Sequence, residues 1–251
     1  MTFNGVAQQP VSIIVACLRE QDTIRECLER ITKTMPNAEL LVVHGGPDRT
    51  CEIAAEMART NPHIVAIRNE NDRGKGHAVK VGIARAKHDI MCQFDADLQF
   101  APEDIPKLFA PICNGEADVV IGSRFMRGAN SSQYKFSFLR AVGNRVVNAW
   151  VSLLCGTRLS DVTTGSKAWT RQAISAVAFR DMRFVYEVEI VMRAQQLGLR
   201  VAQVPVSYFS RQGGESGHGA GWREFKSIVS TGFWILWTAA RLRFPASRPH
   251  L

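Results

Sequence analysis

Asp95 and Asp97 stand one residue apart, directly after the apolar run Asp89-Ile90-Met91-Cys92-Gln93-Phe94. Two carboxylates so spaced at a strand end can both turn toward one cation. Mg²⁺ and Mn²⁺ take such oxygen donors and keep positions open for phosphate oxygens. A lone D-x-D is more often a solvated acidic turn. Here the pair closes a series of strand–helix units, and open α/β sheets bind their ligands at the C-terminal ends of strands. Two further segments suit anions. Gly74-Lys75-Gly76 puts a lysine between glycines at a helix start, where a phosphate can approach the backbone closely, although a plain turn is an equal reading. It is no Walker loop, since G-x-x-x-x-G-K-[ST] is absent. Arg211-Gln212-Gly213-Gly214 pairs a guanidinium fork with a flexible backbone; taken alone, a surface loop is the simpler reading.

The elements that would position these groups alternate regularly. Val11–Ala16, Glu39–Val43, Ile64–Arg68 and Ile90–Phe94 are β-branched or apolar runs that predict strands. Between them, Asp22–Met35 carries Ile24, Cys27, Leu28, Ile31 and Met35 at helical spacing, Asp48 can cap a helix bearing Ile53, Ala54, Met57 and Ala58, and Gly74–Ala86 predicts a third helix. Strands alternating with helices imply parallel pairing in a doubly wound sheet. A short helix after Pro102 leads to the strand-like Val119–Ile121 and then to Arg124. Met126–Tyr134 is polar and suits a lid. Phe136–Cys155 predicts an amphipathic helix broken in polarity by Arg140, Asn144 and Arg145, and Val201–Tyr208 is strand-like.

A chain of 251 residues fits one large α/β domain. With 31 Lys+Arg against 23 Asp+Glu it is basic, which favours an anionic partner. No motif interleaves aromatic and basic residues as nucleic-acid binders do, so the expectation is no nucleic acid. The six cysteines are scattered without C-x-x-C, which suits reduced thiols in the cytosol. No secretory signal is visible at Met1–Pro10. The most apolar stretch, Ser227–Ala240, falls short of the ~20 residues that a membrane span needs. It carries Phe233, Trp234 and Trp237 between Lys226 and Arg241 and Arg243, which suits an amphipathic helix lying in a membrane interface. A helix packed on the domain fits equally well.

Together the motifs resemble the GT-A fold glycosyltransferases of family two, and within them the polyprenyl- and dolichyl-phosphate sugar synthases (mannosyl or glucosyl). The matching segments span roughly residues 10–217. The most specific are Asp95-Ala96-Asp97-Leu98-Gln99 with Pro102-Glu103-Asp104-Ile105-Pro106, and Asn71 with Gly74-Lys75-Gly76 and Ala78. The resemblance implies an open, twisted, mostly parallel sheet flanked by helices in residues 1–217, followed by a C-terminal amphipathic helix in 218–251. It implies Asp95, Asp97 and Gln99 as ligands of Mg²⁺ or Mn²⁺ on the diphosphate of a nucleotide-sugar donor. Ala16, Leu18, Glu20, His44, Lys75 and Ala96 would line the donor pocket. Arg124, Arg140, Asn144 and Arg211 would receive a lipid phosphate.

Some positions depart from the family pattern. The usual Asp-Asp-Gly-Ser after strand two reads Val43-His44-Gly45-Gly46, at residues that help read the base or ribose. The usual Gly-Phe reads Gly165-Ser166, which suggests a smaller, more polar wall on the acceptor side. The Gln-x-x-Arg-Trp signature of processive synthases is absent, which favours transfer of a single sugar. A lipid phosphate is already ionised at neutral pH and needs no base, so the expectation is an inverting enzyme at the inner membrane face. A hydroxyl acceptor would need a base; Asp161 is the candidate, its simpler role being to cap the turn Asp161–Gly165. The other alternative is a non-catalytic scaffold of this fold that docks a membrane partner.

Overall fold

The computed structural model describes residues 3–131, 138–211 and 222–244. A short helix α1 (Phe3–Ala7) precedes β1 (Ser12–Cys17), α2 (Ile24–Thr34), β2 (Glu39–His44), α3 (Thr50–Ala58), β3 (Ile64–Arg68), α4 (Lys75–Arg85) and β4 (Ile90–Asp95). These strands and helices match the alternation read from the sequence. A 3₁₀ turn at Pro102–Asp104 and α5 (Ile105–Cys113) lead to β5 (Val119–Ser123). Then come α6 (Phe138–Cys155), β6 (Lys167–Thr170), α7 (Arg171–Val177), α8 (Tyr186–Gln196), β7 (Val201–Pro205) and α9 (Trp222–Arg243).

One sheet carries all seven strands, in the order β3-β2-β1-β4-β6-β5-β7. Strands β3, β2, β1 and β4 run parallel, and β5 pairs parallel with β7. Between the two groups β6 pairs antiparallel with both β4 and β5. The sheet is therefore mostly parallel with helices on both faces, the GT-A arrangement that the resemblance implies. The reversed β6 was not read from the sequence; Lys167-Ala168-Trp169-Thr170 is too short to show a period.

Side-chain alternation along β1 assigns the two faces. Ile13 and Val15 enter a core with Ile24, Cys27, Leu28 and Ile31 of α2 and Leu108 and Phe109 of α5. Ile14 points the other way, toward Ala78 and Val79 of α4 and Tyr186 and Ile190 of α8. Each such fully buried Leu or Ile contributes roughly 1.5–3 kcal/mol. A third core joins Val147 and Val151 of α6, Val188 and Val191 of α8, and Ile235 and Ala239 of α9. Helix α9 thus packs one face on the domain, and Trp150 Nε1 donates to the Leu236 carbonyl at 3.2 Å. Its other face is open, with Phe233 62%, Trp234 55% and Trp237 55% exposed. Arg241 and Arg243 are exposed as well; the Lys226 side chain lies outside the described residues. Both readings of this segment therefore hold for different faces of one helix. Among the described residues no helix is long and apolar enough to cross a membrane.

Candidate active site

A cleft of about 760 Å³ opens at the C-terminal ends of β1 and β4. The sheet topology explains its place: β1 and β4 are adjacent at the point where the strand order reverses, with β2 and β3 beyond β1 and β6, β5 and β7 beyond β4. Ala16, Leu18 and Glu20 come from the end of β1 and the loop after it, Asp95, Ala96, Asp97 and Gln99 from β4 and its turn, and Lys75 from the start of α4. Arg124 follows β5, Arg140 and Asn144 lie on α6, and Arg211 follows β7. Thus every predicted site residue except His44 and Asp161 lines this one cleft. Both loops at its centre hold a residue in the left-handed region, Arg19 at φ 58° and Leu98 at φ 57°. Non-glycine residues seldom adopt that conformation, and they concentrate at functional sites.

The carboxylates at the centre are met by cations of the chain itself. Lys75 Nζ lies 2.8 Å from Asp95 Oδ1 and 3.0 Å from Glu187 Oε1. Burial works against that ammonium, but Asp95 and Glu187 outweigh it and hold its pKa well above the ordinary value. Burial raises the Asp95 carboxyl, with Lys75 opposing and the Asp97 charge adding. Asp97 Oδ1 accepts from Gln99 N at 3.1 Å, and its Oδ2 lies 3.7 Å from Arg211 Nη1. Arg211 Nη2 also pairs with Glu20. Burial, opposed by Arg211 and aided by Asp97, pushes the Glu20 carboxyl up to about 7. Gly165 packs against the Asp95–Lys75 pair. A Cβ there would fall 2.1 Å from Asp95 Oδ2 and 2.8 Å from Lys75 Nζ. Among the described residues no three His, Cys, Asp or Glu side chains form a complete metal site. A cation on Asp95 and Asp97 would draw the rest of its shell from amide, water and phosphate oxygens, as Mg²⁺ sites commonly do.

Further along the cleft, Arg124 is held rigidly. Its Nε donates to Asp161 Oδ2 at 2.7 Å and its Nη2 to Asp161 Oδ1 at 2.8 Å, and its backbone N donates to Oδ2 at 3.1 Å. The guanidinium also stacks 5.1 Å from the Tyr208 ring centroid. Nη2 reaches Thr163 Oγ1 at 3.3 Å, and that hydroxyl donates to Asn144 Oδ1 at 3.3 Å. Val147 of α6 and Thr231, Gly232 and Ile235 of α9 also line the cleft.

Four expectations meet a different geometry. Asp161 is wholly buried, with both oxygens taken by Arg124, so it does not face the acceptor side as a free base would. His44 is also wholly buried and does not line the cleft; its Nε2 lies 2.6 Å from Asp48 Oδ1. Asp48 caps no helix. It accepts from Gln21 N at 3.1 Å and Thr50 Oγ1 at 2.6 Å, and so ties the first loop to α3. Ser166 is buried and lines no wall of the cleft. The lid read at Met126–Tyr134 and the loop Gln212–Ser216 fall in part or wholly outside the described residues. Conversely, sequence reading missed Asp72, Glu187 and Tyr208 as cleft residues, and the buried Lys167, whose Nζ donates to the Thr164 carbonyl. Burial lowers the Lys167 ammonium to about 8, against the pull of Glu187 and Asp161. The buried acidic spacing of Glu187 and Glu189 in an apolar helix was the available signal.

Residues 12–177 match the family model described as glycosyl transferase family 2. The chain belongs to that family. The resemblance read from D-x-D and G-K-G is thereby borne out. Among family relatives, the chain is 30% identical over 209 residues to a dolichol-phosphate mannosyltransferase of Pyrococcus furiosus, covering 82% of this chain and 58% of that one. It is 26% identical to a polyprenol monophosphomannose synthase of Mycolicibacterium smegmatis, covering 83% and 80%. The chain thus spans little more than half the length of the first of these relatives. In fold it is similar to a glucosyl-3-phosphoglycerate synthase of Mycobacterium tuberculosis solved with Mn²⁺, UDP and phosphoglyceric acid. The TM-score is 0.74 at 18% identity, covering 100% of this chain and 86% of that one.

Proposed function

We propose that this family 2 chain is an inverting, metal-dependent glycosyltransferase. It moves one sugar from a nucleotide-diphosphate sugar to a polyprenyl monophosphate at a membrane surface. One observation carries the reading. A single cleft is lined by Asp95 and Asp97, by Arg124, Arg140 and Arg211, and by Val147 and Ile235 on the helix pair whose outer face exposes Phe233, Trp234 and Trp237. A phosphate with an apolar tail matches that combination of charge and apolar surface. The relatives named for dolichol-phosphate and polyprenol support the same acceptor class.

Asp95, Asp97 and the Gln99 amide fit a divalent ion, since their oxygens are the hard donors such an ion takes, and the Lys75 and Arg211 cations beside the two carboxylates mark the place of that positive charge. When bound, Mg²⁺ or Mn²⁺ neutralises the charge that develops on the departing diphosphate. The chain's own residues do the rest. Lys75 stands beside Asp95 at the helix start and adds positive charge where the diphosphate sits. Ala16, Leu18, Glu20 and Ala96 wall the donor end. Arg124, fixed by Asp161, holds the acceptor phosphate with Arg140, Asn144 and Arg211. An ionised phosphate attacks the anomeric carbon without losing a proton, so no base is required, and one displacement inverts that centre. Residues 218–251 carry the membrane contact, which lies on the cytoplasmic face because nucleotide sugars are made there. A hydroxyl acceptor is disfavoured because Asp161 has no oxygen to spare.

The test supplies the purified chain with Mn²⁺ or Mg²⁺, a panel of nucleotide sugars and a short-chain polyprenyl monophosphate. The expected product is a polyprenyl-phosphate sugar of inverted anomeric configuration. Arg140→Lys and Arg211→Lys should raise acceptor KM roughly tenfold to a hundredfold, the cost of a charge-assisted bond lost with the fork. Absence of transfer from every donor would overturn the proposal.

A further inference from the structure

The space above Gly45, just past the end of β2, is already filled. A Cβ on Gly45 would lie 2.5 Å from Asp72 Cβ and Cγ and 2.7 Å from its Oδ2. Asp72 comes from a different strand end, the loop between β3 and α4, and lines the cleft together with Leu18. Its Oδ1 is spent on holding the loop: it accepts from Asn69 Nδ2 at 3.0 Å and from Gly74 N at 3.2 Å. His77 Nδ1 is 3.9 Å from the same oxygen. Among the described residues no donor reaches Oδ2, and the side chain is partly open to solvent. His44, which ends β2, is buried and bound to Asp48.

We propose that Asp72 reads the nucleoside of the donor, its Oδ2 accepting an N–H or O–H from the base or ribose. Gly45 is the residue that lets it into that position. The inference rests on the nucleotide-donor reading above and adds a residue to it. An ionised carboxylate only accepts, so it favours a nucleoside edge that presents a donor and opposes one that presents a lone pair. Held by two donors on one oxygen, it loses little freedom when the other is used.

Titration calorimetry with Mn²⁺ tests this, with GDP, UDP, ADP and CDP, the 2′-deoxy form of whichever binds best, and inorganic pyrophosphate as probes. Asp72→Asn keeps an oxygen for Asn69 and Gly74, so the loop should hold. Its affinity for the best nucleoside diphosphate should fall roughly tenfold to a hundredfold, while pyrophosphate affinity stays unchanged. Gly45→Ser, which displaces Asp72 from the other side, should act in the same direction. If the 2′-deoxy compound is insensitive to Asp72→Asn, the partner is the 2′-hydroxyl; if it is equally sensitive, the partner lies elsewhere on the nucleoside. Should wild type bind a nucleoside diphosphate and both variants match it, the role of Asp72 falls while the donor reading stands. Should wild type bind none, the donor reading itself falls.

Discussion

Replacing Asp161 by asparagine separates two accounts of the acceptor side. Asp161 is fully buried, and Arg124, only 11% exposed, grips both its oxygens at 2.7 and 2.8 Å. The amide keeps the shape but strands a buried guanidinium without its counter-charge. Breaking a buried pair by removing one partner costs about 3–5 kcal/mol. An amide oxygen in the place of Oδ2 still accepts two of the three bonds from Arg124, so the lower end, about 3 kcal/mol, is expected. For a chain of this size that lowers Tm by roughly 6–12 °C. Arg124→Met combined with Asp161→Leu should recover part of the loss, because neither charge is then left alone. The assay is thermal unfolding followed by circular dichroism, together with acceptor kinetics. A positioning role predicts a raised acceptor KM, since Arg124 loses its orientation. A base would instead lower kcat and remove the acidic limb of the pH–rate profile. An Asp161→Asn chain that melts within about 2 °C of wild type would refute the ion-pair argument.

Three other outcomes follow from the same geometry. Asp97→Asn should abolish metal-dependent transfer and the stabilisation by Mn²⁺ with a nucleoside diphosphate, while the metal-free Tm moves little; retained transfer would remove Asp97 from the metal site. Gly165→Ala should cut activity at least tenfold, because its Cβ would enter the 2.1 Å gap to Asp95 Oδ2 and drive that carboxylate off its position; wild-type activity would mean that the Asp95 position is not critical. Glu20 is held at about 7 in the folded chain, above its ordinary value of 4.5, so the folded state keeps an extra proton between those values and stability falls as pH rises through that window. Denaturant unfolding at pH 5 and pH 7.5 should show that fall in wild type and a smaller one in Glu20→Gln; equal slopes would count against the burial of Glu20.

Much of the cleft around Asp95 and Asp97 was legible because it is local. β1 to β4 are short apolar runs, each followed by a helix with a clear apolar face, and Asp95 and Asp97 share a turn. The G-K-G start of α4 lies beside that turn because β1 separates β2 from β4 and α4 crosses over it. Such information sits within windows of ten residues and survives without any tertiary knowledge. The same holds for α9, whose aromatic face and basic end could be read directly, although which face packs could not.

What was missed depends on pairings between distant residues. Strand β2 is buried along its whole length, as a parallel strand covered on both faces must be. A histidine ending such a strand can face the ligand or the interior, and only the 2.6 Å contact with Asp48 decides for the interior. Asp161 and Arg124 are 37 residues apart; that they neutralise each other turns a candidate base into the group that fixes a cleft arginine. Gly45 and Asp72 make the same point in reverse. Read along the chain, the two glycines after β2 look like the loss of a polar group. In the fold the vacated volume is filled by a carboxylate from the next strand end. On the role proposed for Asp72, a polar function stays in place while its residue moves to another strand, and its loss at one position of a family pattern is weak evidence against binding until the neighbouring strand ends have been placed.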